Sequence, residues 1–84
     1  MGRSRRKRPA RLAGKLSAIR RQLGLSQSEL RERLESSDYP LYKGDISNYE
    51  LDRSEPPLVV LLKYARIARV SMETLVDDKL DLPK

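Results

Sequence analysis

A helix stop and a helix start lie almost next to each other in the first third of the chain. Four apolar residues at helical spacing precede this boundary, namely Leu12, Leu16, Ile19 and Leu23. Gly24 is placed to end the helix that they predict, because glycine readily adopts the left-handed conformation of a helix C-terminus. Soon after it, Ser26 and Glu29 have the spacing of a capping box. The sequence therefore predicts two helices joined by a tight turn.

Weaker patterns predict the second and third helices. The second, which starts at Ser26, has about nine residues before the polar stretch 36–40 ends it. The third is expected at roughly 42–51, with Ile46 and Tyr49 three residues apart and facing the core.

Two further helices are predicted towards the C-terminus. Pro56 and Pro57 suit the first turn of a fourth helix, since proline is tolerated there. The apolar face expected for this helix consists of Leu58, Leu61, Leu62, Ala65 and Ala68. Ser71 predicts the N-cap of a short fifth helix that ends near Asp77. The fold class that follows is all-α, a compact five-helix bundle.

Charge is unevenly distributed along the chain. Residues 1–23 carry nine of the 18 Lys and Arg and no acid, whereas residues 24–84 carry the other nine and all 12 acids, so the two parts have formal charges of +9 and −3. We expect a disordered basic arm at 1–10, a folded domain at 11–77 and a loose tail at 78–84. Such a basic segment indicates a polyanionic partner, either nucleic acid or an anionic membrane surface.

The residue types exclude several classes of function. There is no Cys and no His, which excludes disulfides, thiolate or imidazole zinc sites, Cys nucleophiles and Ser-His-Asp chemistry. We therefore expect neither an enzyme nor a cofactor. The longest apolar run, Leu58–Leu62, is far shorter than the roughly 20 residues of a membrane span. A cytoplasmic location is favoured, although the Arg-rich start also resembles a mitochondrial presequence and a nuclear-import signal.

Four groups of residues follow one another in a recognisable order. They are Ile19-Arg20 with Gly24-Leu25-Ser26-Gln27 and Glu29-Leu30, then Ile46-Ser47-Asn48-Tyr49-Glu50, then Pro56 through Leu62 with Ala65, and finally Val70-Ser71 with Leu75. Together they resemble the phage-repressor or XRE-like (Cro-type) helix-turn-helix family, over about residues 12–77. The resemblance implies a bacterial, nucleoid-associated repressor that binds double-stranded DNA as a homodimer, with the third helix in the major groove.

The resemblance also implies which residues contact DNA. The third helix would read bases through three side chains. Asn48 can pair with adenine, Lys43 can pair with guanine, and Asp45 can accept a hydrogen bond from cytosine. Gln27 matches a phosphate-contacting residue of the family, and Glu50 matches a residue that pairs with the Arg at position 20. The whole expected DNA-binding set is Gln27, Ser28, Tyr42, Lys43, Asp45, Ser47, Asn48, Arg53, Arg5, Arg6 and Arg8.

Several alternatives remain open at this point. Asp45 has a second interpretation, as a cap of the third helix. The run from Arg5 to Arg8 also has a second interpretation, as a solvated tail. The chain also departs from the family pattern: the turn at 37–41 is longer, Arg31 replaces a small residue, and Asp52 replaces a Gly after the third helix. A second hypothesis is an antitoxin-like protein-interaction module on the same scaffold. Binding to a membrane surface ranks third, because the first helix needs its apolar stripe for the core.

Overall fold

Five helices form the regular secondary structure of residues 8–37 and 39–83, which are the residues that this computed structural model describes. They are α1 (Leu12–Leu23), α2 (Gln27–Leu34), α3 (Asp45–Glu50), α4 (Leu58–Ala68) and α5 (Met72–Val76). The predicted all-α architecture of five helices is confirmed. Within these ranges no helix combines the length and the apolar character needed to cross a bilayer. The predicted arm contacts Arg5 and Arg6 lie outside the described residues.

The boundary between α1 and α2 agrees with the sequence. Gly24 has a φ of 71° and closes α1, with its N–H donated to the carbonyl of Arg21 at 3.0 Å. The Ser26 hydroxyl accepts from the backbone N–H of Glu29 at 3.1 Å, and the Glu29 carboxylate accepts from the N–H of Ser26 at 2.8 Å. The capping box is confirmed, and it fixes where α2 starts.

The third helix is shorter than predicted. It begins at Asp45 rather than near Tyr42, because Gly44 has a φ of 95° and lies in the left-handed region, which breaks the helical path. Tyr42 and Asp45 close a turn in front of the helix: the Asp45 N–H is 3.0 Å from the carbonyl of Tyr42. Ile46 and Tyr49 are buried as predicted.

The core contains buried residues from all five helices, and it overlaps the predicted face of α4 at Leu61 and Ala65 but not at Leu58 or Leu62. Val60, Leu61, Tyr64 and Ala65 are buried, whereas Leu58 is 74% exposed. The predicted inward positions of Leu58 and Leu62 are therefore wrong. Because apolar residues occupy most of the circumference of α4, their spacing alone does not select one face. Packing onto α1 and α5 determines which face of α4 is buried.

Two segments without helix are fixed to the body by side chains. In the long turn between α2 and α3, Leu41 is buried, and its carbonyl accepts from Arg31 Nη1 at 3.4 Å. At the C-terminus, the Asp78 carboxylate accepts from the backbone N–H groups of Ala10 and Arg11, both at 2.9 Å. Residues 78–83 are thus held at the start of α1, instead of forming the loose tail that we expected.

Candidate nucleic-acid interface

One carboxylate joins the first three helices beneath the candidate interface. Arg20 Nε lies 2.7 Å from Glu50 Oε2, and Arg20 Nη2 lies 3.1 Å from Glu50 Oε1. Gln27 Nε2 donates to the same Oε1 at 3.2 Å, and Arg20 Nη1 donates to the carbonyl of Leu25 at 3.0 Å. The ion pair expected between α1 and α3 is confirmed.

This pair is well shielded from water. The Glu50 side chain is only 7% exposed and that of Arg20 is 18% exposed. The hydrogen bond to Glu50 raises the pKa of Arg20 above its ordinary value. Arg20 is therefore fully charged throughout the physiological range, and the pair keeps α3 in a fixed orientation on α1.

The outer side of α3 and the turn before it carry polar side chains that have no bonding partner in the part of the chain that the structure describes. We call Tyr42, Lys43, Ser47 and Asn48 the α3 face. Tyr42 is 68% exposed and Lys43 is also exposed, while Ser47 and Asn48 are half-buried. Within residues 8–37 and 39–83, none of these four side chains has a hydrogen-bond or ion-pair partner. Their donors and acceptors are available to a ligand.

A cleft of about 230 Å³ lies between the start of α2 and the start of α3. Its lining consists of Gln27, Ser28, Arg31, Lys43, Gly44, Ile46 and Ser47. Four residues of the predicted DNA-binding set, Gln27, Ser28, Lys43 and Ser47, are thus brought to one place. The lining contains two cations and no acid, which favours an anion such as a phosphate group.

Arg31 is the one charged residue of this cleft that the sequence analysis did not assign to the site. It follows Gln27 by four residues on α2, and residues at that spacing share a helix face. The spacing of four residues from Gln27 is the sequence signal that could have placed Arg31 in the site. Its guanidinium also donates to the carbonyl of Leu41, as described above, so Arg31 connects the cleft to the long turn.

Asp45 is turned towards its own backbone. Its Oδ2 accepts from the N–H of Tyr42 at 2.8 Å, and the residue is half-buried. Asp45 is therefore not the N-cap of α3, which is Gly44 and has no side-chain capping bond; its carboxylate is instead occupied within the turn before the helix. The result is a closed turn that holds Tyr42 in front of α3.

Arg53 of the predicted set follows the C-terminus of α3, and Arg8 contacts the same segment. Arg8 Nη1 donates to the carbonyl of Asp52 at 2.6 Å and lies 3.2 Å from its Oδ1. Arg8 Nη2 donates to the carbonyl of Arg53 at 3.4 Å, and Arg53 itself is exposed. Asp52 has a φ of 60°, as expected for a residue in the place of a glycine. Arg8 therefore contacts the segment that directly follows α3.

The described residues contain no group of three or more His, Cys, Asp or Glu side chains arranged to hold a metal ion. Comparisons of the chain with protein families, with curated proteins and with solved structures found no match.

Proposed function

We propose that this protein is a non-catalytic, sequence-specific regulator of transcription that binds double-stranded DNA with α3 in the major groove. The observation that supports the proposal best is the α3 face, where four polar side chains have no partner among the described residues and two of them, Lys43 and Ser47, line a cleft that contains two cations and no acid. α2, the long turn and α3 act as a helix-turn-helix unit. A repressor that occupies its operator is the simplest form of this function.

Base recognition is assigned to the α3 face. The major groove is about 12 Å wide and admits one helix. Asn48 would accept from and donate to adenine N6 and N7, and Lys43 would donate to guanine O6 and N7. Tyr42, the most exposed of the four, would contact a thymine methyl group or a phosphate.

Phosphate contacts are assigned to the cleft. Gln27, Ser28 and Arg31 offer an amide, a hydroxyl and a guanidinium on one side of it. Such contacts fix the position of the protein on the duplex without reading its sequence. Neutralising Arg5 and Arg6 should lower the affinity for all duplexes alike and reduce the salt dependence.

Asp45 acts in this proposal by positioning Tyr42 and not by touching a base. Its carboxylate already accepts from the Tyr42 N–H, and a carboxylate turned towards DNA would be repelled by phosphate. The closed turn fixes the backbone of Tyr42, so less conformational entropy is lost when this residue binds.

A single module of this size reads few bases, so the proposed form on DNA is a homodimer on a pseudo-palindrome. Its half-sites would be about 10 base pairs apart, one turn of the duplex. The basic arm would contact phosphates or an adjacent minor groove. The site of action would be the bacterial cytoplasm, on the nucleoid.

Selection of bound sequences from a random duplex pool tests the proposal. We expect enrichment of a two-fold symmetric sequence, and a steep linear fall of log K with log salt concentration on the selected duplex. The proposal would be contradicted if no sequence were enriched and the chain had no measurable affinity for duplex DNA at low salt.

The second candidate, an antitoxin-like module that binds another protein, is favoured by the exposed apolar residues of α4. The same titration separates the two candidates. A complex with another protein that is insensitive to salt, in a chain without duplex affinity, would favour this second function.

A further inference from the structure

Leu51 is an exposed apolar side chain directly after the last residue of α3. Its side chain is part of a residue that is 57% exposed. Its backbone N–H donates to the carbonyl of Ser47 at 2.9 Å, so Leu51 still follows the helical path. Leu51 follows Ser47 by four residues and Asn48 by three, and residues at these spacings are neighbours on a helix surface. An apolar side chain therefore adjoins the α3 face, and the proposed function does not yet use it.

The major groove offers one kind of apolar group to such a side chain. Adenine, guanine and cytosine present hydrogen-bond donors and acceptors there, whereas thymine also presents a methyl group. A leucine side chain pressed against a donor or an acceptor would remove water from it without replacing the hydrogen bond, which is unfavourable. The methyl group of thymine is therefore the base group that Leu51 fits.

We infer that Leu51 contacts the methyl group of one thymine and so adds an A·T pair to the sequence that the protein recognises. This inference rests on the proposed binding of α3 in the major groove. α3 has six residues and is about 9 Å long, which is less than the groove width of about 12 Å. Both ends of this helix therefore fit into the groove together, and Leu51 reaches a base in addition to those read by the α3 face.

The charges beside Leu51 are compatible with a position close to phosphates. The Glu50 carboxylate, one residue before it, faces inwards and is only 7% exposed. Asp52, one residue after it, has its Oδ1 3.2 Å from Arg8 Nη1. Arg53 follows and is exposed. Because both carboxylates that flank Leu51 are paired with cations, they would repel the phosphates of the groove only weakly.

Replacement of thymine by uracil tests the inference, because the two bases differ only in the methyl group. Each thymine of the selected duplex is replaced in turn, and the dissociation constant is measured for the wild type, Leu51→Ser and Leu23→Ser. Leu23 is the matched control, because it is an exposed apolar residue on α1. At one thymine, the wild type and Leu23→Ser should lose affinity about fourfold, as expected for one buried methyl group. Leu51→Ser should bind the thymine and uracil duplexes equally.

Leu51→Ser should also bind the unsubstituted duplex at least fourfold more weakly than the wild type does, with the same urea unfolding curve, since the side chain is exposed. A loss at a second thymine that persists in Leu51→Ser would belong to another residue, such as Tyr42, and the coupling identifies the one that belongs to Leu51.

The inference is overturned if no uracil substitution weakens the wild type, or if every such loss persists in Leu51→Ser. It is also overturned if Leu51→Ser weakens binding to selected and random duplexes equally. In each of these cases the wild type still binds DNA, so the proposed function would stand. If the wild type binds no duplex, the proposed function fails and this inference fails with it.

Discussion

The α3 face and the apolar outer side of α4 are both exposed, but the protein supports them in different ways. The outer side of α4 consists of Leu58, Val59 and Leu62. α3 has six residues and α4 has eleven. A helix as short as α3 is not stable alone, and it depends on two buried side chains together with the Arg20–Glu50 pair. α4 is held by four buried side chains, with no ion pair among them. We therefore expect the polar groups beneath α3 to stabilise the protein, and the buried polar group beneath α4 to destabilise it.

The largest effect is expected where the polar support is removed. Arg20→Ala leaves the nearly buried Glu50 carboxylate with Gln27 as its remaining described partner. Loss of one partner of a buried pair costs about 3 kcal/mol of unfolding free energy, and we expect specific DNA binding to fall with it. Urea unfolding measures the stability.

Arg21→Ala is the matched control, since Arg21 is the next residue on α1 and is exposed. It should change the free energy of unfolding by less than about 0.5 kcal/mol. If Arg20→Ala lowered the free energy of unfolding as little as Arg21→Ala, polar contacts would not be what supports α3, and α3 and α4 would not differ in this respect.

A substitution in the support of α4 is expected to have the opposite sign. Tyr64 is fully buried, and its hydroxyl has no hydrogen-bond partner among the described residues. Burial raises the pKa of this hydroxyl, so it remains neutral. Tyr64→Phe removes a desolvated polar group and should stabilise the protein by roughly 1 to 2 kcal/mol.

Thermal or urea unfolding checks this gain, with Tyr42→Phe as the exposed control that should change nothing. A loss of stability in Tyr64→Phe would mean that the hydroxyl has a partner, and that polar contacts support α4 as well.

The turn in front of α3 gives an intermediate effect. Asp45→Ala removes the acceptor of the Tyr42 N–H and should cost about 1 kcal/mol, the usual net contribution of one hydrogen bond. Hydrogen exchange of the Tyr42 amide should become faster in Asp45→Ala. Asp45→Asn keeps an acceptor oxygen, so its exchange rate and stability should lie between those of the wild type and Asp45→Ala.

A double-mutant cycle on DNA sharpens this point. If Asp45 acts only through Tyr42, then Asp45→Ala should add little to the loss caused by Tyr42→Ala. Additive losses would instead mean that Asp45 contacts a base itself.

The smallest effect concerns the start of α1, on which both faces depend. The backbone N–H groups of Arg11 and Ala10 donate to the Asp78 carboxylate and lower its pKa. A depressed pKa stabilises the fold at pH values above the unfolded pKa of about 4, and this contribution is lost as the pH falls through the folded value.

Asp78→Asn should therefore be less stable than the wild type at neutral pH, and the difference should shrink below pH of about 4. Unfolding followed from pH 6 to pH 2 checks this. A difference that stays constant over the whole range would contradict the role of the charged carboxylate.

The local features of the fold, which depend on residues close together in the chain, could be predicted from the sequence. Gly24, Ser26 and Glu29 determine a helix end and a helix start by contacts within five residues, and all three behave as expected. The Arg20–Glu50 pair is a long-range contact, and it was predicted only through the family resemblance.

The remaining features depend on partners that are distant in the chain. Asp78 contacts the start of α1 across more than sixty residues, so no local pattern indicated it. The choice between Leu58 and Val60 as the inward residue of α4 also depends on what packs against that helix. The start of α3 was misplaced because a glycine within a helical pattern does not reveal its φ.

The most direct test of the central claim, that the α3 face reads DNA bases, is the affinity of Asn48→Ala for the selected duplex and for a random duplex, measured at the same salt concentration. The account predicts a loss of about 1 to 3 kcal/mol on the selected duplex and almost none on the random one. Equal losses on the two duplexes would contradict it, because Asn48 would then contribute to affinity without reading sequence.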